Sequence, residues 1–429
     1  MSEKNTEPQR KKPKKKRKKR SKVMSILITV FLLLAILAMV GVIFYFIILP
    51  NRYSGLLNYV YEDETMAPDA TLPPEEGDEL ETGSDSPPEV VSNIDDLLNQ
   101  LQNATTDDNG NLVIPGTSIE PGTQIDPGTP TDPGATQSPG DSGNPTQPTQ
   151  SGKTTQQVVL PAVQTSDDVK NILLIGIDAR GDSNAGRSDT MIILSINDKA
   201  KTITMTSLLR DCYVAIPGRG NNRLNAAHAY GGAALLMQTI ELNFGIHIDG
   251  FARVNFVSFP QIIDNIGGVT VGIEENEIQY INRYLKEINR IFGVDPNDSH
   301  YPEGQVGAQL LNGRQALAYS RIRYVGSDYA RTQRQREVLN AVASKLRGMG
   351  VFEIDSFLNN TLPLRSTNLD RGYVNSLITS APSLLKYTIK EARIPADGMG
   401  TGVRIDGKSV ISVDLVATRN YLNAVIYGR

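Results

Sequence analysis

The chain changes texture three times. From Val23 to Leu49 runs VMSILITVFLLLAILAMVGVIFYFIIL, 27 residues without a charge. At 1.5 Å per residue that length crosses a hydrocarbon core of roughly 30 Å with some tilt, and Pro50 closes it. Lys and Arg crowd only its N-terminal flank, so residues 1–22 are expected in the cytoplasm and the rest outside. The apolar run exceeds the roughly 7–15 residues of a cleaved signal peptide, so a retained single-pass helix is expected. From Lys170 onward short apolar runs alternate with helical spacing. NILLIGID (171–178), MIILSIN (191–197), TITMTSL (202–208), GFARVNF (250–256) and VTVGI (269–273) read as strands. GGAALLMQTIELNFG (231–245), FPQIIDNIGG (259–268), 274–293, LNGRQALAYS (311–320) and 329–347 read as helices. In 274–293, Ile278, Ile281, Leu285, Ile288 and Phe292 line one face. The alternation predicts a layered α/β domain with helices on both sheet faces and a late strand pair before the end. No linker interrupts it after 166, so 166–429 is expected to form one domain.

Between anchor and domain, residues 50–165 are acidic and rich in Pro, Gly and Thr, and are expected to be a disordered extracellular linker. They include a six-residue repeat, PGTSIE, PGTQID, PGTPTD, PGATQS, which offers no hydrophobic face to bury. One stretch, NIDDLLNQLQN (93–103), has the pattern of a short helix. SGKTT (151–155) lacks the preceding glycine and strand of a phosphate-binding loop.

Charge follows the same blocks. Residues 1–22 carry +10, 51–165 carry −17 and 166–429 carry +3, in a chain of 429 residues with net charge −4. The basic tail beside an apolar span is expected to fix topology and attract anionic membrane lipid, not nucleic acid. Cys212 is the only cysteine, so intrachain disulfides and cysteine-based metal sites are excluded. His228, His247 and His300 are scattered, so any metal would be a hard, oxygen-bound cation. No GxSxG or Cys–His nucleophile context is present.

Candidate chemistry falls in three segments. The domain holds 21 Arg against 8 Lys, and Arg is favoured where phosphate is bound through two parallel hydrogen bonds. Arg314, Arg321, Arg323, Arg331, Arg334 and Arg336 accompany a single acid, Asp328, between 314 and 336. That local excess predicts an anion site. An extended YSRIRY would put Arg321 and Arg323 on one face, and a helix would align Arg331, Arg334 and Gln335 near its N-terminus. Asp178 ends the first strand and Asp189 closes GRSD before the second. Two carboxylates with water and a phosphate oxygen suit Mg²⁺, with Arg187 in reach, although Asp is also common in turns. In SLLRDCYVAIPGRGNNRLNAAHAYGG, Arg210 suits an anion and Asp211 an orienting role, though a purely structural Arg–Asp pair is equally compatible; Arg223 precedes a helix. Cys212 and His228 read as packed, inert residues.

These blocks together resemble the LytR-CpsA-Psr family. The match rests on NILLIGIDAR with GRSDTMIILSIN, SLLRDCYVAIPG, RLNAAHAYGG, and LNGRQALAYSRIRY with DYARTQRQREVL, over roughly 170–345. The resemblance implies a three-layer α/β/α domain with a central mixed sheet. It implies an extracellular phosphotransferase that moves a glycopolymer, such as teichoic acid or capsule, from polyprenyl pyrophosphate to a peptidoglycan hydroxyl and releases polyprenyl phosphate. It implies Asp178 and Asp189 as Mg²⁺ ligands. It implies Arg187, Arg210, Arg321, Arg323 and Arg331, with Gln335 alongside, as pyrophosphate ligands, and adds Arg223 and Arg334. Asp178, Arg210, Asp211, Arg321 and Arg323 are the expected catalytic set. The family's usual Thr or Ser after RD is Cys212 here. Two other classes are compatible with the sequence, a non-catalytic receptor for lipid-linked precursors and a transcription regulator. The anchor argues against the second, because it puts the arginine-rich domain outside the cell.

Overall fold

The structure is a computed structural model that describes residues 56, 58–59, 91–117, 156–177, 186–326, 328–364 and 366–428. The expected membrane span and cytoplasmic tail lie outside them. Among the described residues no helix is long and apolar enough to cross a membrane. The chain divides into two compact units. One takes in 57–369 and 382–429 and carries the central sheet and the site described below; the other takes in 1–56 and 370–381.

In chain order the elements are β1 (Asn58–Tyr59), α1 (Val91–Leu101), β2 (Thr105–Thr106), β3 (Leu112–Thr117) and β4 (Gln156–Leu160). Then come β5 (Val169–Ile177), β6 (Ser188–Asn197), β7 (Thr202–Leu208), β8 (Tyr213–Ile216), β9 (Gly220–Arg223) and α2 (Leu224–Phe244). They continue with β10 (Gly250–Asn255), α3 (Ser258–Asn265), β11 (Val269–Ile273), α4 (Glu275–Ile291), β12 (Gly307–Leu311) and α5 (Gly313–Ser320). The last are α6 (Asp328–Gly348), α7 (Val351–Thr361), β13 (Ser366–Thr367), α8 (Arg371–Leu384), β14 (Thr388–Ile394), β15 (Gly400–Ile405), β16 (Lys408–Val413) and α9 (Leu415–Leu422).

A mixed seven-stranded sheet runs β1-β13-β10-β5-β6-β7-β14. β6 pairs antiparallel with both β5 and β7, while β10 joins β5 and β14 joins β7 in parallel. The end of β5, the start of β6 and the end of β7 therefore share one sheet edge. The central strands are apolar on both faces. Leu173, Ile175, Met191 and Ile193 join a cluster with Leu236 and Ile240 of α2, and Ile172 and Ile192 are buried on alternate positions. That is why the sequence shows continuous apolar runs here and not alternation. A second cluster packs α3, β11, α4, α5 and α6 together, with Ile278, Ile281, Leu285 and Ile288 of α4 buried as their spacing predicted.

Three expectations need correction. First, α2 begins seven residues before the expected start and is broken at Gly231 and Gly232. Gly232, at φ 61°, ψ −157°, occupies a region open only to glycine. Second, YSRIRY is not extended: Tyr319 and Ser320 end α5, and Arg321 caps it in helical conformation. Third, the expected linker 50–165 contains folded structure. α1, where the short helix was expected, buries Leu98 and Leu101 in the main core beside Ile114 of β3 and Leu160 of β4. β3 pairs antiparallel with β4, Thr117 opposite Gln156, so the proline-rich repeat begins and ends at adjacent strands. Composition over 115 residues averaged these few apolar positions away. Replacing 118–155 by a short turn should leave the thermal midpoint unchanged by circular dichroism. Ile114→Ala should cost about 2–5 kcal/mol in denaturant unfolding, as for a filled core position.

Candidate active site

A β-bulge creates the first part of the site. Gly176 of β5 pairs Thr190, but Ile177 pairs Ser188, so Asp189 is the extra, unpaired residue of β6. Bulges re-aim a side chain at a strand end. A Cβ on Gly176 would lie 2.9 Å from that of Thr190, so the bulge needs glycine opposite it. Asp189 Oδ1 accepts from Arg210 Nη1 at 3.0 Å, just beyond the end of β7. Arg210 Nε lies 3.5 Å from Asp211 and 3.9 Å from Asp328. Arg223, the residue before α2, donates to Asp211 at 3.2 Å, and Arg331 of α6 donates to Asp328 at 2.9 Å. Carboxylate and guanidinium thus alternate from Asp189 to Arg223, with a branch through Asp328 to Arg331.

The β8–β9 hairpin, which the sequence reading missed, sets this geometry. Its register puts Arg223 opposite Tyr213, two residues from Asp211. Leu224 and Asn225 then donate their backbone N–H groups to the carbonyls of Cys212 and Arg210, at 2.8 and 3.2 Å. The helix start is satisfied by the very loop that carries Arg210 and Asp211. Asp328 was noticed only as a lone acid; its place between two arginines depends on tertiary contact that no local pattern records.

The charges act on one another strongly. The packed surroundings push the Asp189 carboxyl up although 39% of its side chain reaches solvent, and Arg210, Arg331 and Arg321 outweigh them and hold it below the usual carboxylate value. Asp211 goes the other way, because burial exceeds the help of Arg210 and Asp328 opposes its ionisation. Arg321 rests over the rings of Phe256 and Tyr284, at 5.0 and 5.4 Å, and 3.7 Å from Glu287. Arg323 is half-buried two residues on, and Arg187 is half-buried two residues before Asp189. Gln335 is buried on α6 one turn from Arg331.

Arg334 does not join this group. Its Nε donates to Glu277 of α4 at 2.6 Å, and its other nitrogens to the carbonyls of Ile322 and Val325 at 3.2 and 2.9 Å. It therefore shapes the loop that carries Arg321 and Arg323. Arg314 and Arg336 are likewise engaged, with Asp298 and Glu391. The local count of arginines over acids misled, because the balancing acids come from distant sequence. Cys212 is fully buried and its thiol is pushed up by that burial, so it is inert and not exposed to oxidation. His228 is a packed residue, its Nδ1 2.7 Å from the Gly186 carbonyl. A separate cleft at the far end of β5 holds Lys170, already paired with Asp249 at 2.9 Å.

Asp178 lies outside the described residues. Among those described, no group of three His, Cys, Asp or Glu is arranged to hold a metal. Asp189 is 39% exposed and kept ionised, which suits a hard cation with water in its shell.

Fold and charges together define a mixed α/β domain whose sheet edge gathers arginines around carboxylates. The LytR_cpsA_psr family model matches residues 136–424, and the chain belongs to the LytR-CpsA-Psr family. It is 36% identical over 225 residues to the polyisoprenyl-teichoic acid–peptidoglycan teichoic acid transferase TagU of Oceanobacillus iheyensis, 50% of this chain and 63% of that protein. It is 32% identical over 250 residues to the transferase of the same name from Enterococcus faecalis, 57% of this chain and 74% of that one. With TagT of Bacillus subtilis it shares 36% over 186 residues, 42% of this chain and 54% of that protein. The crystal structure of Bacillus subtilis TagT superposes with a TM-score of 0.48 and 27% identity, covering 61% of this chain and 92% of that chain. The chain thus spans between half and three quarters of these curated relatives.

Two outcomes follow from this geometry. In a carboxyl-carbon NMR titration Asp189 should titrate below 3.8 and Asp211 above it, and Arg210→Gln should raise Asp189. Asp189 then contributes stability that is present above its unfolded value and lost as pH falls through its lowered one. Ionised Asp211 costs stability that is recovered as pH falls through its raised value. Second, Arg334→Ala should destabilise the protein by about 3–5 kcal/mol, leaving Glu277 buried and unpaired. Arg331→Ala, which leaves the more exposed Asp328, should cost much less in the same denaturant measurement.

Proposed function

We propose that the chain transfers a glycopolymer from a polyprenyl diphosphate to a sugar hydroxyl of peptidoglycan, forming a phosphodiester and releasing polyprenyl phosphate. The observation that carries this reading is convergence. Arg210, Arg321 and Arg331, from three separate segments, all act on the single carboxylate of Asp189. Three guanidiniums at one sheet edge suit a diphosphate, whose oxygens accept several charge-assisted hydrogen bonds at once. The names of the relatives, transferases of teichoic acid to peptidoglycan, point to the same chemistry.

In this reading the acceptor oxygen attacks the sugar-linked phosphorus. The P–O bond to the lipid-side phosphate breaks, and the acceptor proton passes to a carboxylate, for which the family resemblance suggests Asp178. Arg210, Arg321, Arg323 and Arg331, with Arg187, hold the phosphate oxygens and neutralise charge that grows on the leaving phosphate. Asp211 and Arg223 orient Arg210, and Gln335 supports Arg331. Mg²⁺ held by Asp178 and Asp189 would supply further neutralisation of the diphosphate. The apolar segment 23–49 would anchor the domain outside the membrane where such lipids reside, with the basic tail against anionic lipid.

The test uses the full chain in detergent with Mg²⁺, a short polyprenyl-diphosphate disaccharide and peptidoglycan oligomers, read by mass spectrometry. Wild type should attach sugar phosphate and release polyprenyl phosphate. Arg321→Ala should slow this at least roughly tenfold with the thermal midpoint retained, by comparison with loss of one oxyanion-type donor. Undiminished turnover in that variant would remove Arg321 from the site. Binding by the wild type without release would make the protein a receptor.

A further inference from the structure

The loop that carries Arg321 and Arg323 also carries an exposed aromatic ring. Tyr324 is 56% exposed, although its ring is held in place. It stacks on Tyr280, with centroids 5.5 Å apart and planes 18° from parallel. The Arg283 guanidinium lies 5.0 Å from its centroid. Tyr280 and Arg283 are three residues apart on α4, so both meet the ring from that helix, and the ring still keeps 56% of its surface in solvent. One turn further along α4, Tyr284 packs against Arg321. Arg321 links the two regions, because its guanidinium rests on these rings and also acts on Asp189.

An exposed ring fixed before a ligand arrives loses little entropy on binding. The surroundings select the ligand. A prenyl tail would require an enclosed apolar groove, whereas this ring sits in the open beside the charged Arg283. A sugar ring fits both features. Its C–H face lies on an aromatic face, and its hydroxyls meet polar groups at the rim. The sugar joined directly to the diphosphate is also the part of the substrate nearest Arg321, and Tyr324 is only three residues away, at most about 11 Å along an extended chain.

We propose that Tyr324, braced by Tyr280 and Arg283, is the platform on which the first sugar of the lipid-linked glycopolymer stacks. This rests on the reading that the arginines hold the diphosphate. Tyr324 then selects for a sugar next to the phosphates and orients it for attack, while Arg321 and its neighbours hold the charge.

The protein contains no tryptophan, so Tyr324→Trp installs a single fluorescent reporter. The full chain in detergent micelles is titrated with farnesyl diphosphate and with farnesyl diphosphate bearing one N-acetylglucosamine. Calorimetry on wild type and Tyr324→Ala runs in parallel. The sugar-bearing ligand should shift the reporter's emission, and farnesyl diphosphate should not. Tyr324→Ala should weaken the sugar-bearing ligand about three- to tenfold and leave farnesyl diphosphate unaffected. A silent reporter, with equal affinities in wild type and Tyr324→Ala, would overturn the platform while the diphosphate reading stood. Failure of both ligands to bind wild type would overturn the two together.

Discussion

One buried carboxylate organises half of this domain. Glu277 accepts from the backbone of Glu274 at 2.9 Å, which closes the first turn of α4, and from Arg334 of α6 at 2.6 Å. Arg334 spends its remaining donors on the carbonyls of Ile322 and Val325. Two helices and the intervening loop are thus fixed by a single pair of charges, with the backbone groups around it satisfied. A buried ion pair is weak evidence for stability in itself, since desolvation offsets much of the attraction. Here it gives the loop one conformation. Arg321, Arg323 and Tyr324 are carried by that loop, so their positions follow from a contact that touches no substrate.

At the sheet edge the logic is different. Asp189, Arg210, Asp211 and Arg223 alternate in sign, and Asp328 ties in Arg331. Such an arrangement keeps guanidiniums oriented before a ligand arrives, which removes reorganisation from the binding step. It also splits two neighbouring aspartates. Asp189, facing several arginines, stays ionised, whereas Asp211, more deeply buried and near Asp328, is held less firmly in that state. An incoming diphosphate would compete with these carboxylates for the same donors, so binding here is an exchange of anions.

Much of this was legible along the chain, and the gaps have a common cause. β5, β6, β7 and α4 announced themselves because burial on both faces leaves a continuous apolar run in a strand, and burial on one face leaves a periodic one in a helix. The family motifs point to Asp189, Arg210, Arg321 and Arg331, four side chains whose charges act on one another in the structure. What stayed hidden depended on partners far away in sequence. Arg334 looked like a ligand until Glu277, 57 residues earlier, took its Nε. Arg336 looked unpaired until Glu391, 55 residues later, met it. The helix near 93–103 was legible from its apolar spacing, but the strands within 105–117 and 156–160 were obscured by the proline-rich repeat between them, and their few core residues, Ile114 and Leu160, vanish in an average over the segment.

The central claim is that the arginines of this edge recognise a diphosphate as such. Equilibrium binding of a polyprenyl diphosphate and of the matching monophosphate to the full chain tests it most directly. The lipid is constant in the pair, so only the phosphate contacts differ. Each added charge-assisted hydrogen bond is worth about 1.5–3 kcal/mol. The diphosphate should therefore bind at least about tenfold more tightly, and Arg331→Gln should erase much of that preference. Equal affinity for the two lipids, unchanged by Arg331→Gln, would contradict the account.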